Sequence, residues 1–461
     1  MRTLILALLA SGCATATKST DSARQTLRYS VHDVSVVHVI DSSLPTVQIT
    51  YQFPRGADAE SPDEIGASRL LASLMTKGAK GRSAMKTAEM VDALGGSISG
   101  SASRDTLRFT AGGLSRDLPA LSDLLSQTVR QPNLDAKEFE RLKRQTLAGM
   151  KSGRTRGQTL AQKALLDLMY TNDRLGISIG GNEATVGALT LDKIKALYAK
   201  AIHPGGLTIG VFGDVSKETV TALLDRQLKD WKPLTAAPQP AEAAFEPKVK
   251  IHIVDKPDLT QVNIYLGHAG IRRARADYEA ITLLNYALGG GGFSSRLMKL
   301  IRSEKGLTYG IRSGFSAGER AGPFMITSFT RVEKVRELID LSLQVMNEVI
   351  ANGITQSELD DAKGYYLGSY PLSLETVEGE GGKLLQADRY NLGDDFITAY
   401  PKRLEAVDLK TVNTLAKRLL KPSDLVMVLV GPKEQLVETV RDLGALRATW
   451  WEDDKPLPVE P

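Results

Sequence analysis

Two periodicities alternate along the chain and predict its secondary structure. Residues 47–51 (VQITY) and 106–110 (TLRFT) alternate apolar and polar side chains, as a strand with one buried face does. Residues 70–74 (LLASL) form an apolar run typical of a buried helix. Antiparallel sheets with helices packed on one face accommodate both patterns. The chain is therefore predicted to have an α+β fold made of α/β sandwiches, each an antiparallel sheet covered by helices.

The same order of patterns occurs twice. Four segments of the first half match four of the second: 47–51 with 261–265, 70–74 with 283–287, 134–139 with 354–359, and 207–213 with 425–431. Chance similarity between α+β elements is the alternative explanation. Because both the order and the offset agree, we favour a duplication and predict two homologous domains.

Length and composition fit two domains. The chain has 461 residues, 42% of them hydrophobic, and single cores stop growing near roughly 250–300 residues. Residues 232–247 are rich in proline and alanine, so they cannot hold a regular helix or a central strand. We predict that they form a linker between an N-terminal domain at 28–231 and a C-terminal domain at 248–451, followed by a tail at 452–461.

The first half contains a helix whose surroundings resemble those of a zinc peptidase. A strand and a Gly-containing turn precede residues 66–75, the segment 77–79 (KGA) follows them, and Gly95 and Gly96 stand before a strand. This arrangement resembles the N-terminal half of the insulinase (pitrilysin) family of peptidases, especially its bacterial and mitochondrial processing-peptidase branch. The resemblance implies the duplicated α/β-sandwich fold of that family.

The metal-binding residues of that family are missing. The family helix carries H-x-x-E-H, in which two His bind Zn²⁺ and the Glu acts as general base. The matching positions are Arg69, Ala72 and Ser73. A guanidinium repels a dication, a methyl group cannot take a proton, and a serine hydroxyl is a poor zinc ligand. The family's third ligand, a glutamate, falls at about residues 147–150 (LAGM), where no acid stands. We expect a degenerate zinc site and no metal or cofactor in this chain.

A glycine-rich segment in the second half resembles the part of the family that approaches the active site from the opposite domain. Residues 289–297 (GGGGFSSRL) lead into 302–310 (RSEKGLTYG). The resemblance implies that Arg302 and Tyr309 contact bound peptide and its tetrahedral intermediate, and both side chains are donors suited to that task. It also implies that the turn borders the peptide path, with substrate contacts from Gly290, Gly291, Gly292, Phe293, Ser294 and Arg296. The alternative is an ordinary surface turn, because exposed Arg and half-buried Tyr are common.

The amino terminus predicts an envelope protein. Residues 1–12 combine Arg2 with an apolar run too short to span a bilayer, and they end at Cys13, the only cysteine. This arrangement resembles a bacterial lipobox, so we predict a signal segment at 1–12, acylation of Cys13 and a tether at 13–27. No acid directly follows Cys13, which by resemblance to bacterial sorting favours the outer membrane, facing the periplasm. The alternative is an ordinary cleaved signal with an incidental cysteine.

Charge and histidine content argue against other classes. The net charge is only +4 and the charges are dispersed, so nothing indicates a nucleic-acid partner. The four glycines lack the Lys-Ser/Thr of a phosphate-binding loop. None of the five histidines pairs at i, i+4 around a Glu, and no Gly-x-Ser-x-Gly elbow is present at a strand-to-helix turn.

Together these features predict the non-zinc, substrate-binding subunit of a heteromeric insulinase-type metalloendopeptidase. Arg302 and Tyr309 would be donated to the zinc site of a homologous partner subunit bearing H-x-x-E-H, and Zn²⁺ is expected in that partner. Peptides are the expected substrates, and the lipid anchor is the expected contact with the membrane. The alternative is a catalytically inactive scaffold or peptide-binding protein of the bacterial envelope.

Overall fold

A computed structural model describes residues 24–234 and 241–459. The first half contains six strands: β1 Gln25–Val31, β2 Val34–Ile40, β3 Thr46–Phe53, β4 Ser97–Ala102, β5 Leu107–Leu114 and β6 Thr208–Gly213. Its helices are α1 Ala67–Met75, α2 Ala84–Ala93, α3 Leu118–Arg130, α4 Ala136–Arg154, α5 Gly157–Met169, α6 Glu183–Gly187, α7 Leu191–Ala201 and α8 Lys217–Leu228. The strands predicted at 47–51 and 106–110 and the helix predicted at 70–74 are all present.

The second half repeats this plan. Its strands are β7 Ile251–Asp255, β8 Val262–Ala269, β9 Ile311–Phe315, β10 Pro323–Thr330, β11 Val426–Gly431, β12 Leu446–Trp450 and β13 Pro456–Leu457. Its α-helices are α9 Tyr278–Asn285, α10 Val335–Asn352, α11 Gln356–Ser369, α12 Val377–Arg389, α13 Tyr400–Glu405, α14 Leu409–Leu419 and α15 Lys433–Val440. Two π-helical turns, Tyr286–Gly290 and Met298–Glu304, flank the glycine-rich turn.

Each half forms one sheet, and the two sheets share the order of five strands. The first runs β1-β2-β6-β3-β5-β4, and the second runs β13-β12-β7-β11-β8-β10-β9. Strands β3 and β8, and β6 and β11, hold equivalent places, as the paired sequence segments predict, and β5 and β10 correspond as well. The two-domain α+β fold and its duplication are therefore confirmed.

The expectation of purely antiparallel sheets needs correction, because both sheets are mixed. Strand β2 pairs in parallel with β6, and β7 pairs in parallel with both β11 and β12. The helices between β5 and β6 carry the chain back to the middle of the sheet. There β6 enters between β2 and β3, parallel to one and antiparallel to the other.

The two halves exchange a helix. Helix α5 of the first half packs on β8 and β11 of the second sheet, and α12 of the second half packs on β2 and β6 of the first. Strand periodicity makes room for this exchange. Val36 of β2 lies in the main core of the first half, whereas Val37 and Val39 point to the other face and contact α12. Both faces of each sheet are consequently covered by helices.

The exchange changes the meaning of the predicted domain boundaries. A cut into 28–231 and 248–451 separates each sheet from one of the helices that cover it. Strand β1 already begins at Gln25, inside the predicted tether, and β13 lies inside the predicted tail. The signal segment, Cys13 and residues 235–240 of the predicted linker lie outside the described residues. Within the described ranges, no helix is long and apolar enough to cross a membrane.

Candidate functional site

Helix α1 is held at its start by a buried ion pair. Gly66, in the left-handed region at φ 92°, precedes the helix and has no capping side chain. The carboxylate of Glu60 instead accepts hydrogen bonds from the backbone N–H groups of Gly66 at 2.9 Å and Ser68 at 2.7 Å. Arg174 binds the same carboxylate through its Nη2 at 2.8 Å. The free N–H groups at the helix start thus already have an anionic partner.

The three degenerate zinc positions have different environments on this helix. Arg69 is exposed, Ala72 is fully buried and Ser73 is half-buried. The Cδ and Nη1 atoms of Arg69 lie 3.3 Å from where a Cβ on Gly180 would stand. The carbonyl oxygen of Ala72 approaches β4 so closely that a Cβ on Gly100 would lie 2.3 Å from it. These residues do not fit zinc, because none offers an imidazole, thiolate or carboxylate donor.

A cavity of about 1080 Å³ separates parts of the two halves and is lined by Arg69. Gly149 and Met150 of α4 line the same cavity. The structure therefore brings the segment expected to hold the third ligand opposite the degenerate helix, although neither of these residues is an acid. Within residues 24–234 and 241–459, no group of three His, Cys, Asp or Glu side chains is arranged to hold a metal ion.

Sequence reasoning missed a charged network on the wall of this cavity. Arg104 donates to Asp58 Oδ1 at 2.9 Å and to the carbonyl oxygen of Leu175 at 3.2 Å. Burial raises the pKa of Asp58, although Arg104 opposes the shift. Tyr390 of the second half donates to Asp105 at 2.6 Å. The two residues of each hydrogen-bonded pair lie far apart along the chain, so no local sequence motif predicts the pairing.

The half-buried Arg302 and the exposed Tyr309, by contrast, form a compact cluster with Phe293. The Arg302 guanidinium carbon lies 4.4 Å from the centre of the Phe293 ring and 4.3 Å from that of Tyr309. Phe293 is 61% exposed and Tyr309 76%. Within the described residues, neither the guanidinium nor the phenol has a hydrogen-bond or ion-pair partner. Stacking between two rings thus orients Arg302 by cation–π attraction and leaves its N–H donors free.

The glycine-rich turn next to this cluster has packing reasons for its composition. A Cβ on Gly289 would lie 2.6 Å from the hydroxyl of Ser313, and one on Gly291 would lie 2.8 Å from the Tyr286 ring. Gly292 adopts φ 56°, a conformation that favours glycine. Gly290, Gly292, Phe293 and Ser294 are exposed and Gly291 is half-buried. The turn follows one π-helical turn, and Arg302 lies in the other, a local geometry often found at functional sites.

Arg296 has a different environment from the rest of the predicted substrate-binding residues. Its guanidinium binds Glu358 at 2.6 and 2.7 Å and donates to the carbonyl oxygen of Gly353 at 3.0 Å. Glu358 also belongs to the capping box that begins α11. These contacts therefore join the glycine-rich turn to α11. They also occupy the guanidinium donors of Arg296.

The Arg302 cluster and the cavity lie at opposite ends of one edge strand. Strand β9 follows Tyr309, and the residues after it, Ser316 to Gly318, line the cavity. At about 3.3 Å per residue, the strand holds the two sites roughly 20 Å apart. Strand β4, one of the two edge strands of the first sheet, likewise ends at Ala102, and the next residue, Ser103, lines the cavity. The edge strands β4 and β9 thus both lead into the cavity at their carboxyl ends.

These features define a protein with the frame of a zinc peptidase, a metal site without ligands and an arginine–tyrosine cluster. Comparison with known families agrees. Residues 36–183 match the model described as insulinase (peptidase family M16), and residues 188–366 match the model described as peptidase M16 inactive domain. The chain belongs to the insulinase family.

Individual relatives include proteins named as inactive. The chain is 26% identical to the non-peptidase homolog YmxG of Helicobacter pylori, over 87% of this chain and 93% of that protein. It is 25% identical to the uncharacterized zinc protease YmxG of Bacillus subtilis, over 86% and 96%. A crystal structure of a peptidase M16 inactive domain from Pseudomonas fluorescens superposes with a TM-score of 0.83 at 28% identity, covering 88% of this chain and 98% of that one. The chain is thus similar to non-peptidase members of the family.

Proposed function

We propose that this chain is the non-zinc, substrate-binding subunit of a heteromeric insulinase-type metalloendopeptidase. In this proposal it lends Arg302 and Tyr309 to the zinc site of a homologous subunit that carries an intact H-x-x-E-H helix. The observation that carries the proposal is the contrast between the two sites. Arg69, Ala72 and Ser73 offer no zinc donor, whereas Tyr309 is exposed, Arg302 is half-buried, and neither side chain has a hydrogen-bond or ion-pair partner within the described residues.

The chemistry of the pair suits a site completed by two chains. A peptide carbonyl attacked by zinc-bound hydroxide develops negative charge on its oxygen, and that charge needs donors held in place beforehand. A guanidinium stacked between two rings and a nearby phenol meet this requirement. Because the pair lies roughly 20 Å along β9 from the cavity beside α1, it is better placed to serve a partner's metal than to act beside its own degenerate helix.

Extended peptides are the proposed substrates. Strands β4 and β9 are each one of the two edge strands of their sheet, and an edge strand can bind a peptide by adding it as a further strand. Strand β4 reads SISGSA, with small side chains that leave its backbone accessible. A peptide on β9 would follow the strand that leads from Tyr309 toward the cavity.

The proposed location is the bacterial envelope, with Cys13 acylated and the protein held at the outer membrane facing the periplasm. Support comes from the sequence alone: a short apolar run, small residues before the cysteine and a small polar stretch after it. Labelling of cells with a tagged fatty acid tests this point. The wild-type chain should carry the label, and Cys13→Ser should not.

The central test mixes the purified chain, lacking residues 1–12, with an H-x-x-E-H homologue encoded beside it. Cleavage of a quenched fluorescent peptide and zinc content are measured for each chain alone and for the mixture. We expect cleavage only in the mixture and zinc only in the partner. Tyr309→Phe should lower kcat by about 100-fold, the usual cost of removing one oxyanion donor. Arg302→Ala should do the same, whereas Arg441→Ala, at an exposed site directly after α15, should not.

Two outcomes would contradict the proposal. Zinc and cleavage in the chain alone would identify an autonomous enzyme. Unchanged activity of the mixture with Arg302→Ala and Tyr309→Phe would mean that no donor is lent. Absence of peptide cleavage in each chain alone and in the mixture would favour the second candidate function, an inactive scaffold or peptide-binding protein. Similarity to the Helicobacter pylori protein named a non-peptidase homolog favours that candidate.

A further inference from the structure

The cavity between the halves has an unbalanced charge lining. Its acidic side chains are each engaged: Asp58 with Arg104, Asp105 with Tyr390, Asp167 with Arg447, and Glu183 with Arg154. Four of its six basic residues are also paired: Arg104 with Asp58, Arg154 with Glu183, Arg320 with Asp173, and Lys163 with Asp454. The two charges of each ion pair neutralise each other, so these residues have little affinity for an added ion.

Two arginines of the lining are left over. Arg69 and Arg156 are exposed, and within the described residues neither guanidinium has an ion pair or a hydrogen bond. Arg69 comes from α1, at the position where the family has its first zinc-binding histidine. Arg156 comes from the junction of α4 and α5. The Glu60 carboxylate accepts hydrogen bonds from the start of α1 and pairs with Arg174, so it does not neutralise Arg69.

We propose that this cavity binds a carboxylate of a peptide through Arg69 and Arg156. A planar guanidinium offers two parallel donors that match the two oxygens of a carboxylate. The volume of about 1080 Å³ is ample for the end of a peptide, since ligand pockets commonly occupy about 300–1000 Å³. The inference rests on the peptide-binding part of the proposed function and needs neither zinc nor the partner subunit.

The free sheet edges indicate how a peptide would present that carboxylate. Strands β4 and β9 both enter the cavity at their carboxyl ends. A peptide paired in parallel with either strand would bring its C-terminal α-carboxylate into the cavity. A peptide paired antiparallel would bring its N-terminal part there, so an acidic side chain would supply the carboxylate. The two sources share one chemistry and differ in the peptide that binds.

Peptide binding to the chain alone, without its first twelve residues, tests the inference. Fluorescence anisotropy is measured with four labelled peptides of one extended sequence. Two have no acid and carry either a free or an amidated C-terminus, and two contain one Glu near the N-terminus with the same two ends. Arg69→Ala and Arg156→Ala remove the proposed anchors. Arg144→Ala removes the same charge from an exposed position on α4 outside the cavity and serves as the matched control.

We expect peptides with a carboxylate to bind more tightly than the neutral amide. Loss of either anchor should weaken only those peptides, by about tenfold, as for a charge-assisted contact partly screened by water. Dependence on the free C-terminus would identify parallel pairing, and dependence on the Glu would identify antiparallel pairing.

The inference is overturned if the neutral amide binds equally well, if no peptide binds, or if Arg144→Ala weakens binding as much as Arg69→Ala does. That last result would indicate attraction by net charge alone. Circular dichroism of each variant verifies the fold. Because no partner is present, these outcomes are independent of whether Arg302 and Tyr309 serve a second subunit.

Discussion

The exchanged helix α12 offers a sharp test, because two adjacent glycines in it have opposite surroundings. A Cβ on Gly381 would lie 2.5 Å from two carbons of the Phe212 ring, which is fully buried in the first sheet. A Cβ on Gly382 would meet nothing within 4 Å. Alanine at position 382 therefore tests helix propensity alone. Alanine at position 381 also tests how closely α12 packs on the sheet of the first half.

The expected magnitudes have opposite signs. Alanine in place of glycine in a helix gains about 1 kcal/mol, so Gly382→Ala should stabilise α12 by up to that amount. Gly381→Ala gains the same propensity but must displace Phe212 or the helix by about 1 Å, since carbon contacts are optimal near 3.5–4.0 Å. Overpacking of this kind costs about 1–3 kcal/mol. The two variants should thus differ by about 1–3 kcal/mol.

Hydrogen exchange followed by mass spectrometry measures this difference on α12 itself, without assuming that the two-domain chain unfolds in one step. Relative to Gly382→Ala, the amides of α12 in Gly381→Ala should exchange about 5- to 150-fold faster. In a Phe212→Leu background the penalty should shrink, because the ring that causes it is gone. Equal protection in both variants would refute the close approach of α12 to the first sheet and with it the helix exchange.

Three further predictions concern packing and ionisation. Leu385→Ala, in the α12 interface, should cost about 2–5 kcal/mol of local stability by hydrogen exchange, whereas Leu372→Ala, at a leucine 71% exposed, should cost almost nothing. Gly100→Val should lower the thermal midpoint, because its side chain would collide with a carbonyl of α1. Burial opposes ionisation of Glu358, but hydrogen bonds from Arg296 and the start of α11 outweigh it and lower its pKa below the usual 4.5. The stabilisation of the folded state by these contacts of the ionised carboxylate is present at neutral pH and is lost as pH falls through the lowered pKa. The destabilisation by Glu358→Gln, about 1 kcal/mol at pH 7, should therefore disappear in acid; a difference that persists at pH 2 would contradict the ion pair.

Local patterns predicted what local forces determine. The alternation in β3 and β5 and the apolar run of α1 are consequences of which side chains face a core, so their order also disclosed the duplication. The parallel pairing of β2 with β6 and the helix exchange depend on where the chain returns after more than a hundred residues, and periodicity carries no such information. Glycine-rich α12 reads as a weak helix by propensity, and its stability comes from the foreign sheet on which it packs.

In the candidate site, too, some features follow from the sequence and others depend on the three-dimensional fold. The sequence alone predicts the missing zinc ligands and the presence of Arg302 and Tyr309, because the spacing between motif positions is fixed. The stacking partner Phe293 was predicted as a substrate contact, but its place against Arg302 needed the fold. The ion pair of Arg296 and the unpaired state of Arg156 were invisible, since a pairing partner is set by three-dimensional proximity.

A single substitution at Ala72 would not restore the glutamate of the family motif without a cost in stability. Ala72, at the position of the catalytic glutamate, is fully buried and does not line the cavity, and its backbone lies against Gly100. A glutamate there would have to bury its carboxylate or move the helix, at a cost of several kcal/mol. Leu70, Leu71 and Leu74 still anchor α1 in the core. The packing face thus holds the helix in the core, while Arg69 is exposed and lines the cavity.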